Sequence, residues 1–123
     1  MARVLVVDDD AMIRDVIRGA VERSGHQVEE AAEGAEALQK LKEGGVALMI
    51  VDVMMPKKGG IETLMELRRS APGVKTIVVS GKVDTDSASF QNLIHAFGVG
   101  QVFTKPFDLQ ELAAAVDRLL GSE

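Results

Sequence analysis

Hydrophobic residues in this chain recur with two periods that take turns along it. Short apolar or β-branched runs predict strands over 3–8, 27–32, 46–52, 75–80 and 102–104. Amphipathic stretches with helical spacing follow each of them. Met12, Ile13, Val16, Ile17, Ala20 and Val21 mark the first, closed by Gly25. Ala37, Leu38 and Leu41 mark the second, opened by Gly34 and closed by Gly44 and Gly45. Ile61, Leu64, Met65 and Leu67 mark the third, which stops at Ser70 before Pro72 and Gly73. Phe90, Leu93, Ile94 and Phe97 form a fourth stripe, ended by Gly98 and Gly100, and Leu109, Leu112, Ala113, Val116, Leu119 and Leu120 form the last. The run over 46–52 is the most apolar, which predicts a central strand. Glu29 and Glu30 predict that the strand over 27–32 is less buried.

Five βα units in succession imply an α/β fold: a parallel sheet with helices on both faces, joined by right-handed crossovers. A doubly wound five-stranded sheet in the flavodoxin-like order 2-1-3-4-5 fits best. Its switch point lies between the first and third strands, and ligands of such sheets bind at the carboxyl ends of the strands. Residues 1–123 read as a single domain, with no linker and no low-complexity tract.

The composition narrows the function. The core must be aliphatic, since Phe is the only aromatic residue. The net charge of −5, with no basic stripe and no aromatic platform, argues against direct nucleic-acid binding by this chain. The absence of cysteine excludes disulfides, thiolate chemistry and sulfur-ligated metals. No apolar run approaches the roughly 20 residues of a membrane span. The strand pattern begins at once and leaves no room for a signal peptide, so a cytoplasmic location is expected.

Three strands end in polar residues that a buried strand would otherwise avoid. The run from Val4 to Val7 leads into Asp8, Asp9 and Asp10; that from Ala47 to Val51 ends at Asp52; that from Thr76 to Val79 ends at Ser80 and Gly81. A fourth run ends at Lys105 and Pro106. Asp10 and Asp9 can be explained as a helix N-cap and an acid that favours the helix dipole. That explanation does not reach Asp52 on the neighbouring strand. Adjacent carboxylates repel one another unless a cation or base is present, and oxygen ligands completed by water suit Mg²⁺. Ser80 taken singly reads as a turn residue and Lys105 as a solvated lysine. A lysine held by a following proline, itself a candidate for a cis bond, can neutralise the acids and bind a phosphoryl oxygen. His26 and His95 fall outside this cluster and read as surface or structural residues.

In these residues the chain resembles a response-regulator receiver domain of two-component signalling, from about Val4 to Leu120. The matching pieces are Asp8-Asp9-Asp10 after a Val-Val pair, Val51-Asp52 with Pro56 and Gly60, Val79-Ser80-Gly81, and Thr104-Lys105-Pro106-Phe107. The resemblance implies that Asp52 is the phosphoacceptor, and that Asp9, Asp52 and the Met54 main-chain carbonyl ligate Mg²⁺ with Asp8 acting through a bound water. It implies that Ser80, Lys105 and the main-chain N–H groups of Val53 and Gly81 contact phosphoryl oxygens. It also implies a sensor histidine kinase or histidine phosphotransfer domain as donor, and a downstream protein target or output domain read through the fourth helix, fifth strand and fifth helix. The only catalysis implied is the domain's own phosphorylation and dephosphorylation. Three positions depart from the common pattern: Val102 stands where an aromatic switch residue is usual, and Met54 and Lys82 stand where receivers tune the phosphoryl lifetime. The segment over 83–87 is polar and reads as mobile.

Two rivals are weaker on the residues themselves. A haloacid-dehalogenase-like phosphohydrolase uses a strand-end aspartyl nucleophile but needs an acid two residues later, where this chain has Met54. A flavodoxin-like cofactor carrier needs a hydroxyl- and glycine-rich loop after the first strand, where this chain has acids.

Overall fold

A computed structural model describes residues 2–52, 60–80 and 99–121, together with Asn92 and His95, which are helical. In chain order the elements are β1 (Arg3–Val7), α1 (Ala11–Arg23), β2 (Gln27–Ala31), α2 (Gly34–Glu43), β3 (Val46–Asp52), α3 (Gly60–Ser70), β4 (Lys75–Ser80), β5 (Gln101–Thr104) and α4 (Leu109–Leu119). The strand bounds match the sequence expectation to within a residue. The segment over 83–87 and the four stripe residues Phe90, Leu93, Ile94 and Phe97 lie outside the described residues.

The strands form one sheet in the order β2-β1-β3-β4-β5, and every pairing is parallel. Strand alternation divides the core in two. Leu5, Val7, Met49, Val51 and Val78 face α2 and α3, packing with Ala37, Leu41, Leu64 and Leu67. Val4, Val6, Leu48, Ile50, Ile77 and Val79 face α1 and α4, packing with Ile17, Val21, Leu112 and Val116. A strand buried on both faces has no polar alternation to show, which is why β1, β3 and β4 read as unbroken apolar runs. The register pairs Val7 with Val51, Asp52 with Val79 and Ser80 with Thr104. The carboxyl ends of four strands therefore finish level with one another.

Two helices start at aspartate caps. Asp10 accepts hydrogen bonds from the N–H groups of Met12 and Ile13, and Asp108 from those of Gln110 and Glu111. Gly25, at φ +97°, ends α1 in the left-handed region that other side chains avoid. The stripe read on α1 is wider than the face the helix buries. Ile17, Ala20 and Val21 are buried, but Met12 is 77% and Val16 47% exposed. These two lie on the flank of the helix, beyond the width of sheet that α1 covers.

Edge strand β2 is less buried, as expected, and both its acids are paired. Glu29 meets Arg3, with Lys40 at 4.0 Å; Glu30 meets Arg14 at 2.9 Å and Arg18 at 2.8 Å. Charges along an exposed edge also discourage pairing with another chain. His26, at the opposite end of the sheet from Asp52, is a structural residue: its Nε2 lies 2.7 Å from Asp117 Oδ1 on α4. His95 is exposed. No helix among the described residues is long and apolar enough to cross a membrane.

Candidate functional site

Asp8 follows β1 directly and Asp52 is the last residue of β3, its immediate neighbour in the sheet. Both are buried, at 1% and 3% exposure. Asp9 is exposed at the mouth of the cluster. Carboxylate oxygens of Asp8, Asp9 and Asp52 all lie within 4.8 Å of one another. This gathers three oxygen donors of the kind Mg²⁺ prefers at one sheet edge.

The polar atoms of Asp8 are almost all committed. Its N–H donates to the Ala31 carbonyl at 3.1 Å, and its Oδ1 accepts from the Asp10 N–H at 2.9 Å. Its carbonyl accepts from Arg14 Nη1 at 2.6 Å. Oδ2 is buried with no hydrogen-bond partner. A buried oxygen of this kind is costly unless a ligand or cation uses it. The acid set and this oxygen without a hydrogen bond together fit a hard divalent cation.

Lys105 follows β5. Its N–H donates to the Ser80 carbonyl at 2.8 Å, and the Lys105–Pro106 bond is cis, as the sequence made it a candidate to be. Its Nζ lies 2.8 Å from Asp52 Oδ2 and 3.7 Å from Asp8 Oδ2. Partial burial works against the Lys105 charge, but the hydrogen bond to Asp52 and the charges of both acids outweigh it and raise its pKa above the usual lysine value. For Asp8 the balance runs the other way. Burial, reinforced by the charge of Asp52, pushes its pKa up to about 6 against the opposing pull of the Asp10 N–H and Lys105. Ser80 is fully buried at the end of β4, one residue beyond the partner of Asp52.

The fold thus brings together Asp8, Asp9, Asp52 and Lys105, with Ser80 on the next strand. Val53, Met54, Gly81 and Lys82 lie outside the described residues. Val102 on β5 is half-buried and packs against the core on the α2–α3 side. One residue at the site escaped the sequence reading. Arg14 looks like an ordinary helix-surface arginine, yet it reaches the Asp8 carbonyl. Its signal in the sequence is a cation in the first turn of a helix, the wrong end for the macrodipole.

A family model for the response regulator receiver domain matches residues 4–117. The chain belongs to the response-regulator receiver domains. Among relatives of this receiver domain, the transcriptional regulatory protein CpxR homolog of Haemophilus influenzae is 37% identical over 120 residues, covering 98% of this chain and 51% of its own length. The response regulator MprA of Mycobacterium ulcerans is 34% identical over 118 residues, covering 96% of this chain and 50% of its own. The receiver domain spans about half the length of the curated relatives it matches. Among solved structures, a CheY-like response regulator receiver domain protein from Methanospirillum hungatei superposes with a TM-score of 0.88 at 29% identity, covering 99% of this chain and 95% of that one. These likenesses support a signalling receiver and lend nothing to the haloacid-dehalogenase-like alternative.

Proposed function

We propose that residues 1–123 form one receiver domain in which Asp52 accepts a phosphoryl group in a Mg²⁺-dependent step. The observation that carries this reading is Lys105 Nζ at 2.8 Å from Asp52 Oδ2, beside a buried Asp8 oxygen that has no hydrogen-bond partner. A carboxylate oxygen of Asp52 attacks phosphorus, the donor's P–N bond breaks, and the imidazole leaves with the electron pair. Such a transfer needs in-line placement and charge neutralisation more than a strong base. Lys105 holds the Asp52 carboxylate in place and then follows the negative charge onto a phosphoryl oxygen. Ser80 and the N–H groups of Val53 and Gly81 contact the other phosphoryl oxygens. Asp9, Asp52 and the Met54 carbonyl would hold the Mg²⁺ directly, with Asp8 acting through a bound water. The ion, when bound, supplies the remaining neutralisation of the phosphoryl charge.

The donor is a sensor histidine kinase or a histidine phosphotransfer domain, and the domain catalyses only its own phosphorylation and dephosphorylation. The receiver acts in the cytoplasm on a protein target or an output domain and makes no contact of its own with nucleic acid or membrane. The length of the Haemophilus relative, of which this chain covers 51%, supports an output domain in a longer chain. The readout face is the fourth predicted helix together with β5 and α4. Val102 has no ring to swing there, so the readout does not use the aromatic switch usual at that position.

The test is labelling with a low-molecular-weight phosphodonor and Mg²⁺, followed by mass spectrometry of the trapped acyl phosphate. The label is expected on Asp52 alone. Undiminished label in Asp52→Asn would sink the assignment.

A further inference from the structure

Arg14 sits in the first turn of α1, where a positive charge opposes the helix dipole. Arg18, one turn later on the same face, adds a like charge at i+4. Both placements cost stability and call for a reason. Glu30 on β2 offsets the repulsion, since its Oε1 takes Arg14 Nε at 2.9 Å and its Oε2 takes Arg18 Nη1 at 2.8 Å. The pairing leaves Arg14 Nη1 directed at the Asp8 carbonyl, 2.6 Å away. The Arg14 side chain is 17% exposed, so the contact is largely shielded from water.

We infer that Arg14 is a positioning residue for the cation site: by clamping the Asp8 main chain against β2 it sets the affinity of the acid cluster for a divalent cation. The clamp is one of three holds on Asp8. The Ala31 carbonyl fixes its N–H, the Asp10 N–H fixes Oδ1, and Arg14 fixes its carbonyl. Oδ2 is left without a hydrogen bond and faces only the Lys105 ammonium, 3.7 Å away. Outer contacts that orient a ligand in this way change metal affinity without touching the metal. The inference rests on the reading of Asp8, Asp9 and Asp52 as a cation site.

The sign of the effect separates positioning from plain electrostatics. As a mere nearby cation, Arg14 would repel Mg²⁺, and its removal would tighten binding. As a clamp, its removal loosens Asp8 and weakens binding. Calorimetric Mg²⁺ titration of the whole chain, at fixed pH and ionic strength, distinguishes these. Arg14→Gln is expected to bind roughly ten-fold more weakly than wild type. Arg14→Lys keeps the charge but has a single nitrogen in place of the Nε and Nη1 that reach Glu30 and Asp8 separately, so it is expected to weaken binding as well. Glu30→Gln, which slackens the other end of the clamp, should fall between wild type and Arg14→Gln. Circular dichroism establishes which variants are folded, and Arg14→Lys, which keeps the charge, carries the test should Arg14→Gln not be. Unchanged or tighter Mg²⁺ binding in the folded arginine variants would overturn the inference while leaving the cation site standing. A wild-type chain that binds no Mg²⁺ would overturn the cation site, and the inference with it.

Discussion

Asp8 shows how one side chain can store a cost for later use. Burial pushes its pKa up to about 6, from an ordinary value of 3.8. A carboxyl whose folded pKa lies above its unfolded one takes up protons on folding. Its contribution to stability is therefore complete below about 4 and is lost as pH rises through about 6. In metal-free buffer the protein is thus expected to become less stable, through this group, between pH 4 and pH 7. Asp8→Asn should flatten that slope and be the more stable protein at pH 7. Urea unfolding at a series of pH values checks it, and parallel wild-type and variant profiles would show that Asp8 does not carry the dependence. At the same scale the site was only partly legible. The strand-end carboxylates announced themselves, because an apolar run has no reason to end in Asp52. Arg14 did not, because an arginine on a helix surface is ordinary until its partner is known.

At the scale of elements, caps and stops were local enough to read. Asp10 and Gly25 bound α1 where their side-chain and backbone chemistry placed them. α4 offers a clean measure of such a cap, since Asp108 accepts from the N–H groups of Gln110 and Glu111 at 2.7 and 3.1 Å and lies outside the proposed phosphoryl and cation sites. Asp108→Ala should cost ~1 kcal/mol. The expected result is a lower urea midpoint with an unchanged slope, and full labelling of Asp52. An unchanged midpoint would mean that water replaces the cap without loss. The width of a buried helix face was harder to read. Met12 and Val16 share the apolar stripe of α1 with Ile17 and Val21, but the sheet covers only part of that stripe. How much of a helix a sheet covers depends on the neighbouring helix, here α4, and not on the stripe itself.

For the molecule as a whole, the balance of charge at one sheet edge decides how the fold responds to metal. Asp8, Asp9 and Asp52 converge there with Lys105 as the base paired to them, in a chain of net charge −5. Mg²⁺ should stabilise the fold, because the acids that end β1 and β3 come together only in the folded sheet. At a hundred-fold excess over its Kd the gain is about 3 kcal/mol. Asp9→Asn should be more stable than wild type without metal and should lose most of the Mg²⁺ effect, as read by thermal melting with and without the ion. Full Mg²⁺ stabilisation in that variant would place the ion elsewhere. By itself the sequence determined the alternation of strands and helices, the burial of β1, β3 and β4 on both faces, and the acids at strand ends. These follow from periodicity and burial along one dimension, and parallel βα crossovers then leave few ways to order the strands. Tertiary structure alone decided the contacts between side chains on separate elements. Glu30 bridging two arginines, Arg14 reaching the Asp8 carbonyl, and His26 meeting Asp117 91 residues away are of this kind. A hydrogen bond needs its partners within about 3 Å and well aligned. That alignment comes from how helices lie across the sheet, and hydrophobic periodicity fixes which face of a helix packs but not where its polar side chains end.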